Sequence, residues 1–356
     1  MEGLRFVYRT NAARVVFGPG SISELQGEVE ELGATRALVV CSGSGRAVAD
    51  AVAARLESRC VGVFDRATMH VPIEVAREAR TFAAARGADV VIAIGGGSAI
   101  GLAKAIALET AIPIVAVPTT YAGSEMTPIF GLTEAARKRT GRDPRVLPRT
   151  VIYDPELSRT LPLEVAIPSA FNAIAHAAEG LYAPDANPIA SLMAEEAVRA
   201  IASALPGLVE APNDPEPRSR LLYGAWLAGT VLGTVQMGLH HRICHVLGGR
   251  LDLPHAETHA VVLPHVLAWN APAAPVAMTR IGRALGVHDA PAGLHGLALG
   301  VGAPTSLRAL GMTDGDVDGA ADEIVASPPA NPRSIDRDEL RGLLARALDG
   351  RLETGR

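Results

Sequence analysis

Short apolar runs alternate with longer amphipathic stretches in the first half of the chain. Three of the runs are RALVVCSG, DVVIAIGGGS and IPIVAVPTT, and the stretches between them, such as RAVADAVAARLES and VPIEVAREARTFAAARG, place apolar residues at helical spacing. An order of strand, helix and strand at these lengths requires parallel strands joined by crossover helices. The pattern predicts a doubly wound, Rossmann-like α/β domain with a parallel sheet over residues 1–155.

Long helical stretches rich in alanine and leucine replace this alternation in the second half. Examples are ASLMAEEAVRAIASAL and SRLLYGAWLAGTVLGTVQMGLHHRICHVLGG, which keep a helical period of apolar residues. Pro155 and Pro162 interrupt any helix between the two halves. We therefore expect a second, all-α domain over residues 156–356.

Composition argues against several classes of protein. The formal net charge of −5 and the lack of a long basic run argue against a nucleic-acid partner. No segment reaches the apolar length of a membrane span, and MEGLRFVYRT has no apolar signal core, so we expect no membrane partner and a cytoplasmic location. Cys41, Cys60 and Cys244 form neither a CxxC pair nor a disulfide framework, which suits a reducing compartment.

A glycine-rich turn joins one apolar run to the next helix. Its three glycines, Gly95 to Gly97, let the backbone approach a phosphate, and the helix that follows offers free N–H groups and the positive end of its dipole. A tight turn without a ligand is the alternative. The dinucleotide site is favoured because a second polar turn, VPTTYAGSEMTP, ends the next strand, and ligands of such sheets bind at the carboxyl ends of strands. The predicted cofactor-binding residues are Ser42, Gly95, Gly96, Gly97, Ser98, Thr119, Thr120, Tyr121, Ser124, Thr127 and Lys138.

Six of the ten histidines lie between residues 238 and 265. His241 and His245 are four residues apart and therefore share one helix face, and Asn172 and His176 have the same spacing on another helix. Together with His255, two such pairs are typical of a catalytic metal site built inside a helical domain. A lone histidine on an apolar helix is more often a hydrogen-bonded core residue, and three further histidines are interpreted as supporting or structural: His240, His259 and His265.

The motifs occur in the order GGGS, PTT-x-AGSE, N-x-x-x-H and H-x-x-x-H-x-LG, with long stretches such as RVLPRTVIYDPEL and LPHAETHAVVLPHVLAWNAPAAPVAM around them. This order resembles the iron-containing alcohol dehydrogenase superfamily, and within it the maleylacetate reductase branch. The resemblance implies the dehydroquinate synthase-like fold, in which an NAD(P)-binding domain precedes a helical metal domain. It also implies an oxidoreductase that uses NADH or NADPH and acts on a small dicarboxylate, and we expect a homodimer.

Metal-dependent members of that superfamily hold their ion with an aspartate and three histidines. These positions fall here on Asn172, His176, His241 and His255, so the aspartate is missing. An asparagine offers only a neutral oxygen, and the loss of the anionic ligand removes the strongest attraction for a divalent ion. The maleylacetate reductase branch has the same replacement and is thought to act without metal. We therefore expect no metal, with His176, His241 and His255 as the ligands if one binds.

The resemblance implies NAD(P)H-dependent reduction of the carbon–carbon double bond of maleylacetate to 3-oxoadipate. Hydride addition to the carbon β to the ketone gives an enolate, so the enzyme has to stabilise an oxyanion and protonate the α carbon. We assign His245 and His241 as proton donor and oxyanion partner, with His176 and His255 completing the wall of the site. Arg242 is a candidate for holding a substrate carboxylate, and a solvated helix-surface arginine is an equally good interpretation.

Ser42 and Arg46 stand where NAD-specific relatives carry an aspartate that binds the adenosine ribose, so both NADH and NADPH are expected to serve. The exact substrate stays open, because four positions that we expect near the clefts depart from the pattern of the branch: Ala99, Ile100, Leu132 and Phe171.

Three other functions are possible on this evidence. The first is a metal-dependent alcohol or polyol dehydrogenase, which would bind stoichiometric metal. The second is a lyase or cyclase on the same scaffold, which would retain its NAD during turnover, or a diverged biosynthetic reductase. The third is a dinucleotide sensor without catalytic activity.

Overall fold

A computed structural model describes residues 6, 8, 10, 11, 13–134 and 137–352, apart from the side chains of residues 137 and 138. The chain divides into two compact units. Among the described residues, the α/β unit spans 10–161 with 213–222, and the helical unit is formed chiefly by 162–212 and 223–352. The boundary expected after residue 155 therefore falls inside the α/β unit, shortly before its end.

The α/β unit is built on a six-stranded sheet in which every neighbouring pair is parallel. Its strands are β1 (Arg14–Phe17), β2 (Ala37–Val40), β3 (Cys60–Phe64), β4 (Val90–Gly95), β5 (Ile114–Pro118) and β8 (Thr150–Tyr153), in the spatial order β1-β8-β5-β4-β2-β3. The four central strands are buried along their whole length. Continuous apolar runs fit this position, because a parallel sheet is covered by helices on both faces.

Helices cover both faces of this sheet, and a hairpin adds to the unit. The helices are α1 (Leu25–Glu31), α2 (Arg46–Leu56), α3 (Ile73–Ala85) and α4 (Gly97–Thr110), and the hairpin strands are β6 (Ile129–Glu134) and β7 (Arg137–Arg142). Val91 and Ala93 of β4 belong to one apolar core, with residues of α3 and α4, whereas Ile92 and Ile94 belong to a second core, with residues of α1 and α2. The predicted doubly wound arrangement is confirmed.

The strand order reverses between β2 and β4, because the chain runs from β2 outward to β3 and then returns to β4 on the other side of β2. Ligands of open α/β sheets bind in the crevice at such a switch point, outside the carboxyl ends of the strands. The residues that follow β2 and β4 here are the turns that begin with Cys41 and Gly96. The topology therefore places the predicted glycine turn, and the turn that carries Ser42, at the binding edge of the sheet.

The helical unit contains nine α-helices within the described part of the chain. They are α5 (Leu163–Gly180), α6 (Pro188–Glu210), α7 (Pro215–Thr234, of which the first turns group with the α/β unit), α8 (Leu239–Leu251), α9 (His255–Asn270), α10 (Pro275–Leu285), α11 (Ala290–Gly300), α12 (Val317–Ala326) and α13 (Arg337–Asp349). α5 is buried from Ala166 to its end and packs against α6 and α9. Its run of small residues, AIPSAFNAIAHAAEG, permits this close packing. Among the described residues, no helix combines the length and the apolar character needed to cross a bilayer.

Candidate active site

The glycine turn of the α/β unit lies against the polar turn after the neighbouring strand. Gly95 ends β4 with a φ of +136°, a conformation that residues with a side chain rarely adopt. It pairs in register with Pro118 of β5, and its carbonyl accepts a hydrogen bond from the N–H of Thr119 at 3.1 Å. A Cβ on Gly96 would stand 2.6 Å from Oγ1 of Thr120. The predicted juxtaposition of these two turns is therefore present.

α4 begins at Gly97, directly after this turn, so its first N–H groups point out of the carboxyl edge of the sheet. Gly97 is exposed and Ser98 is half-buried. A negatively charged phosphate is stabilised at such a helix N-terminus by the free N–H groups and by the helix dipole. This geometry is compatible with the predicted phosphate site, and binding of a dinucleotide there stays a prediction.

A buried lysine fixes the second polar turn. Nζ of Lys104 donates to the carbonyl oxygens of Ser124 (2.6 Å), Thr127 (2.8 Å) and Ile129 (2.7 Å), and to Oγ1 of Thr127 (3.0 Å). Burial lowers the pKa of Lys104 to about 7, although nearby Glu125 counteracts that shift. Ser124 and Thr127 are thus held by contacts inside the protein, and the Thr127 side chain is buried. Thr119 and Thr120 are more accessible than Thr127.

The other predicted cofactor residues have different surroundings. Tyr121 is fully buried, and this burial raises the pKa of its hydroxyl, partly offset by Arg218 and Ser158. Ser42 is half-buried at the end of β2, where its Oγ lies 3.0 Å from Oγ of Ser44. Lys138 lies on β7, and its side chain is outside the described residues.

In the helical unit, six histidine rings of the described residues form one contiguous cluster. His176 on α5 and His241 on α8 are stacked with ring centroids 4.9 Å apart, and the His241 centroid is 6.2 Å from that of His245. His245 is in turn stacked on His255 at 6.2 Å, and His255 is 4.4 Å from His259. The structure therefore brings together all four histidines predicted for the site. Asn172 lies one turn before His176 on α5.

The centre of this cluster is a chain of two short hydrogen bonds. Nδ1 of His176 lies 2.8 Å from Nε2 of His241, and Nδ1 of His241 lies 2.6 Å from Oε2 of Glu179. All three side chains are nearly inaccessible to solvent. Both ring nitrogens of His241 are engaged within the protein, so direct contact between His241 and a substrate oxygen requires one of these bonds to break.

His240 and His259, which the sequence indicates as supporting or structural residues, lie inside the same cluster. Nε2 of His240 is 2.8 Å from Nδ1 of His259, and Sγ of Cys244 is 3.7 Å from the same His240 nitrogen. Burial lowers the pKa of both histidines and raises that of the Cys244 thiol well above its usual value. These three residues are therefore neutral and pack behind His241.

Two other candidates lie further from this network. Nη2 of Arg242 donates to the backbone carbonyl of Glu323 at 3.0 Å, while its buried Nε has no hydrogen-bond partner among the described residues. Its proposed contact with a substrate carboxylate stays a prediction. His265 contacts His295, with the ring centroids 6.5 Å apart, and burial lowers the pKa of His265 to about 4.

Two family models match the chain. The model for iron-containing alcohol dehydrogenase matches residues 12–155, and the model for the C-terminal part of the Fe-containing alcohol dehydrogenase family matches residues 166–348. The chain belongs to the iron-containing alcohol dehydrogenase family. The resemblance inferred from the motifs is thus confirmed, as is the fold class.

Relatives of this iron-containing alcohol dehydrogenase family member carry a more specific name. The chain is 57% identical to the maleylacetate reductase of Burkholderia cepacia, over 97% of this chain and 98% of the relative. It is 51% identical to the maleylacetate reductase of Pseudomonas knackmussii, over 98% and 99%. The crystal structure of maleylacetate reductase from Agrobacterium tumefaciens superposes with a TM-score of 0.96 at 49% identity, covering 99% of this chain and 100% of that one. The chain is an oxidoreductase of an NAD(P)H-dependent family.

The family's name implies an iron ion, and the residues at the corresponding positions supply no anionic ligand for one. His176 and His241 offer ring nitrogens, which lie 2.8 Å apart and share a hydrogen bond. Asn172 supplies a neutral amide oxygen, which is buried without a hydrogen-bond partner among the described residues. The nearest carboxylate of this network, that of Glu179, is bound to the far nitrogen of His241.

The four departures from the branch pattern are core residues. Ala99, Ile100 and Leu132 belong to the apolar core between the sheet and α3–α4, and Phe171 is fully buried on α5. Their side chains pack inside the two units, and their effect on the choice of substrate stays a prediction.

Glu179 and Lys104 are the polar residues of these sites that sequence reasoning missed. Each lies in an otherwise apolar helical stretch, AIAHAAEG and IGLAKAIAL. A charged residue on a helix that is apolar all round is a signal of a buried, paired charge. That signal was present in both stretches.

Proposed function

We propose that this protein reduces the carbon–carbon double bond of maleylacetate to 3-oxoadipate with NADH or NADPH, without a metal ion. The observation that supports the metal-free part is that Asn172, one turn before His176, offers only a buried neutral amide oxygen at the position of the anionic ligand. The curated relatives that share about half or more of its residues over nearly the whole chain are named for the same reduction.

The chemistry separates into two steps that need different groups. Hydride leaves the nicotinamide and bonds to the alkene carbon β to the ketone, and the electron pair of the double bond becomes an enolate on the ketone oxygen. A proton then bonds to the α carbon, so one NAD(P)H and one proton are consumed for each 3-oxoadipate formed. The phosphate-binding turns of the α/β unit hold the dinucleotide, and imidazole groups supply the proton and a hydrogen bond to the oxyanion.

A conjugated substrate suits imidazole groups. A metal ion is a strong Lewis acid that polarises an isolated carbonyl for direct hydride attack. Imidazole groups polarise a carbonyl less strongly than a metal ion does. They suffice when the developing negative charge is delocalised over a conjugated enone. A small dicarboxylate with a conjugated ketone satisfies this requirement, whereas a simple aldehyde does not.

The test follows both the hydride and the product. NADH carrying deuterium at the transferred position is incubated with maleylacetate and chelator-treated enzyme, and the product is examined by NMR. We expect 3-oxoadipate with deuterium on the methylene that is β to the ketone. A hydroxy acid that retains its double bond, or activity that disappears on chelation and returns with iron or zinc, would indicate the metal-dependent alcohol dehydrogenase instead.

A further inference from the structure

Glu179 stands at the point where the histidine cluster meets the start of α8. Its carboxylate accepts hydrogen bonds from the backbone N–H groups of Gly238 (3.0 Å), His240 (2.8 Å) and His241 (3.4 Å), and is fully enclosed. These are N–H groups of the first turn of the helix, which have no acceptor inside it. An anion is stabilised at such a helix N-terminus by the dipole as well as by the N–H groups.

The fourth contact of this carboxylate determines how the neighbouring ring is protonated. Because three backbone donors already point at Glu179, the carboxylate acts as an acceptor toward His241, and Nδ1 of His241 carries the proton of the 2.6 Å bond. In the neutral ring, Nε2 of His241 is then an acceptor. It accepts the Nδ1–H of His176 at 2.8 Å, which leaves the lone pair of His176 on its Nε2.

We propose that Glu179 is a positioning residue that fixes His241 in its Nδ1–H tautomer and, through His241, sets the tautomer and orientation of His176. His176 is then a fixed part of the wall of the site, and the proton for the α carbon comes from His245, the donor assigned from the sequence. A carboxylate on the far nitrogen of a histidine orients metal-binding histidines in many enzymes. Here the same arrangement orients one histidine toward another. The catalytic consequence rests on the proposed function, whereas the tautomer itself does not.

A role limited to capping α8 would not require this geometry. The three backbone donors would be satisfied by any buried acceptor, and the ring of His241 would be free to adopt either tautomer. Capping and positioning therefore predict different protonation of the ring. This difference can be measured in the absence of substrate.

The first experiment is long-range ¹⁵N–¹H NMR of the full chain with ¹⁵N-labelled histidine at pH 8, without substrate. The His241 signals are identified by their loss in His241→Asn. We expect Nδ1 of His241 to be protonated. A ring with its proton on Nε2 and a bare Nδ1 overturns the proposal, whether or not the protein reduces maleylacetate. Failure of the proposed function is seen separately, as absence of turnover by the wild-type protein.

The second experiment compares Glu179→Gln and Glu179→Asp, with Glu164→Gln as a matched control. Glu164 is exposed in the first turn of the same helix, α5. For Glu179→Gln we expect kcat for maleylacetate to fall about 10- to 100-fold, as for other residues that orient a functional histidine. KM for NADH should change less than about threefold, since binding of the cofactor does not use this residue. Glu179→Asp, which keeps the charge, should recover part of the loss.

Folding is checked by circular dichroism, because Glu179 also satisfies backbone donors. A folded Glu179→Gln variant with kcat within about twofold of the wild type overturns the catalytic part of the proposal. Equal losses in the Gln and Asp variants overturn it as well, since the carboxylate would then have no specific role. Should both variants fail to fold, the wild-type NMR spectrum still decides the tautomer.

Discussion

Gly96 and Thr120 approach each other so closely that no side chain fits on the glycine. A Cβ on Gly96 would stand 2.6 Å from Oγ1 of Thr120 and 3.0 Å from its Cγ2, although the backbone of Gly96 itself, with a φ of −93°, would accept any residue. The glycine is therefore required by the contact between two turns and not by backbone conformation. This contact holds the glycine turn, the predicted phosphate site, against the turn after β5.

Gly96→Ala should separate these two turns. We expect the free energy of unfolding to fall by about 1–3 kcal/mol, as for other overpacked sites, and KM for NADH to rise. Denaturant titration and cofactor kinetics measure the two effects. Gly97→Ala is the matched control for stability, because a Cβ there meets nothing within 4 Å. If the clash is the cause, adding Thr120→Ala to the first variant restores stability; no recovery would contradict it.

Arg46, at the start of α2, carries two ion pairs that bear on the choice of cofactor. Its Nε lies 2.8 Å from Asp50 and its Nη1 lies 2.7 Å from Asp65. These partners reduce the attraction of Arg46 for a 2′-phosphate, while no carboxylate stands at Ser42 to repel one. We expect kcat/KM for NADH and NADPH to agree within about tenfold, or 1.4 kcal/mol.

Asp65→Asn tests this interpretation, because it leaves Arg46 with one partner and should shift the preference toward NADPH. Steady-state kinetics with both cofactors measure the shift. Glu74→Gln, a change at an exposed site on α3, serves as the control. A preference for NADH of several thousandfold in the wild type would show that another group repels the 2′-phosphate.

The parallel sheet and the clustering of the histidines could be predicted from the sequence, because both depend on the spacing of residues within short segments. The apolar runs of β2, β4 and β5 have only one stable environment, a sheet covered on both faces. The β6–β7 hairpin was missed, since RKRTGR is too polar to indicate a strand. The bond between Glu179 and His241 was missed for a different reason: its partner comes from a helix that begins about sixty residues later, and no local pattern encodes that approach.

Burial of His265 should make stability depend on pH. Its pKa is lowered to about 4 in the folded chain, chiefly by burial and further by His295 and Arg346, whereas an unfolded histidine titrates near 6.5. Between these values the unfolded chain binds one more proton at this residue. The free energy of unfolding therefore rises with pH from about 4 to about 6.5, and this contribution is complete above that range.

His265→Asn should remove up to about 3 kcal/mol of this pH dependence. Urea denaturation at pH 5 and pH 7.5 measures it, with the same substitution at the exposed His288 as the control. An unchanged difference between the two pH values in His265→Asn would contradict the assignment.

Asn172→Asp should raise the affinity for iron or zinc, because it restores an anionic ligand beside His176. We expect the wild-type protein to keep full activity after chelation and the aspartate variant to retain metal through gel filtration. Metal analysis of both proteins, prepared in parallel, gives the result. Cys244→Ser is needed as a control, since the His240, Cys244 and His259 ligand atoms lie within 4.8 Å of one another and could bind added metal nonspecifically. Stoichiometric metal in the wild type that Cys244→Ser does not remove would contradict the prediction.

His241→Ala and His245→Ala should each lower kcat for maleylacetate by roughly 100-fold or more, as for loss of a general acid or an oxyanion donor. The reasons differ, because His241 acts through its bond to His176 while His245 is exposed on α8 beside His255. Cofactor affinity should change little in either variant, as fluorescence titration with NADH can show. His265→Asn is the matched control, a buried histidine outside the network, and should keep kcat within about twofold. Near-normal kcat in both alanine variants would remove these residues from the mechanism and leave the proton to another group.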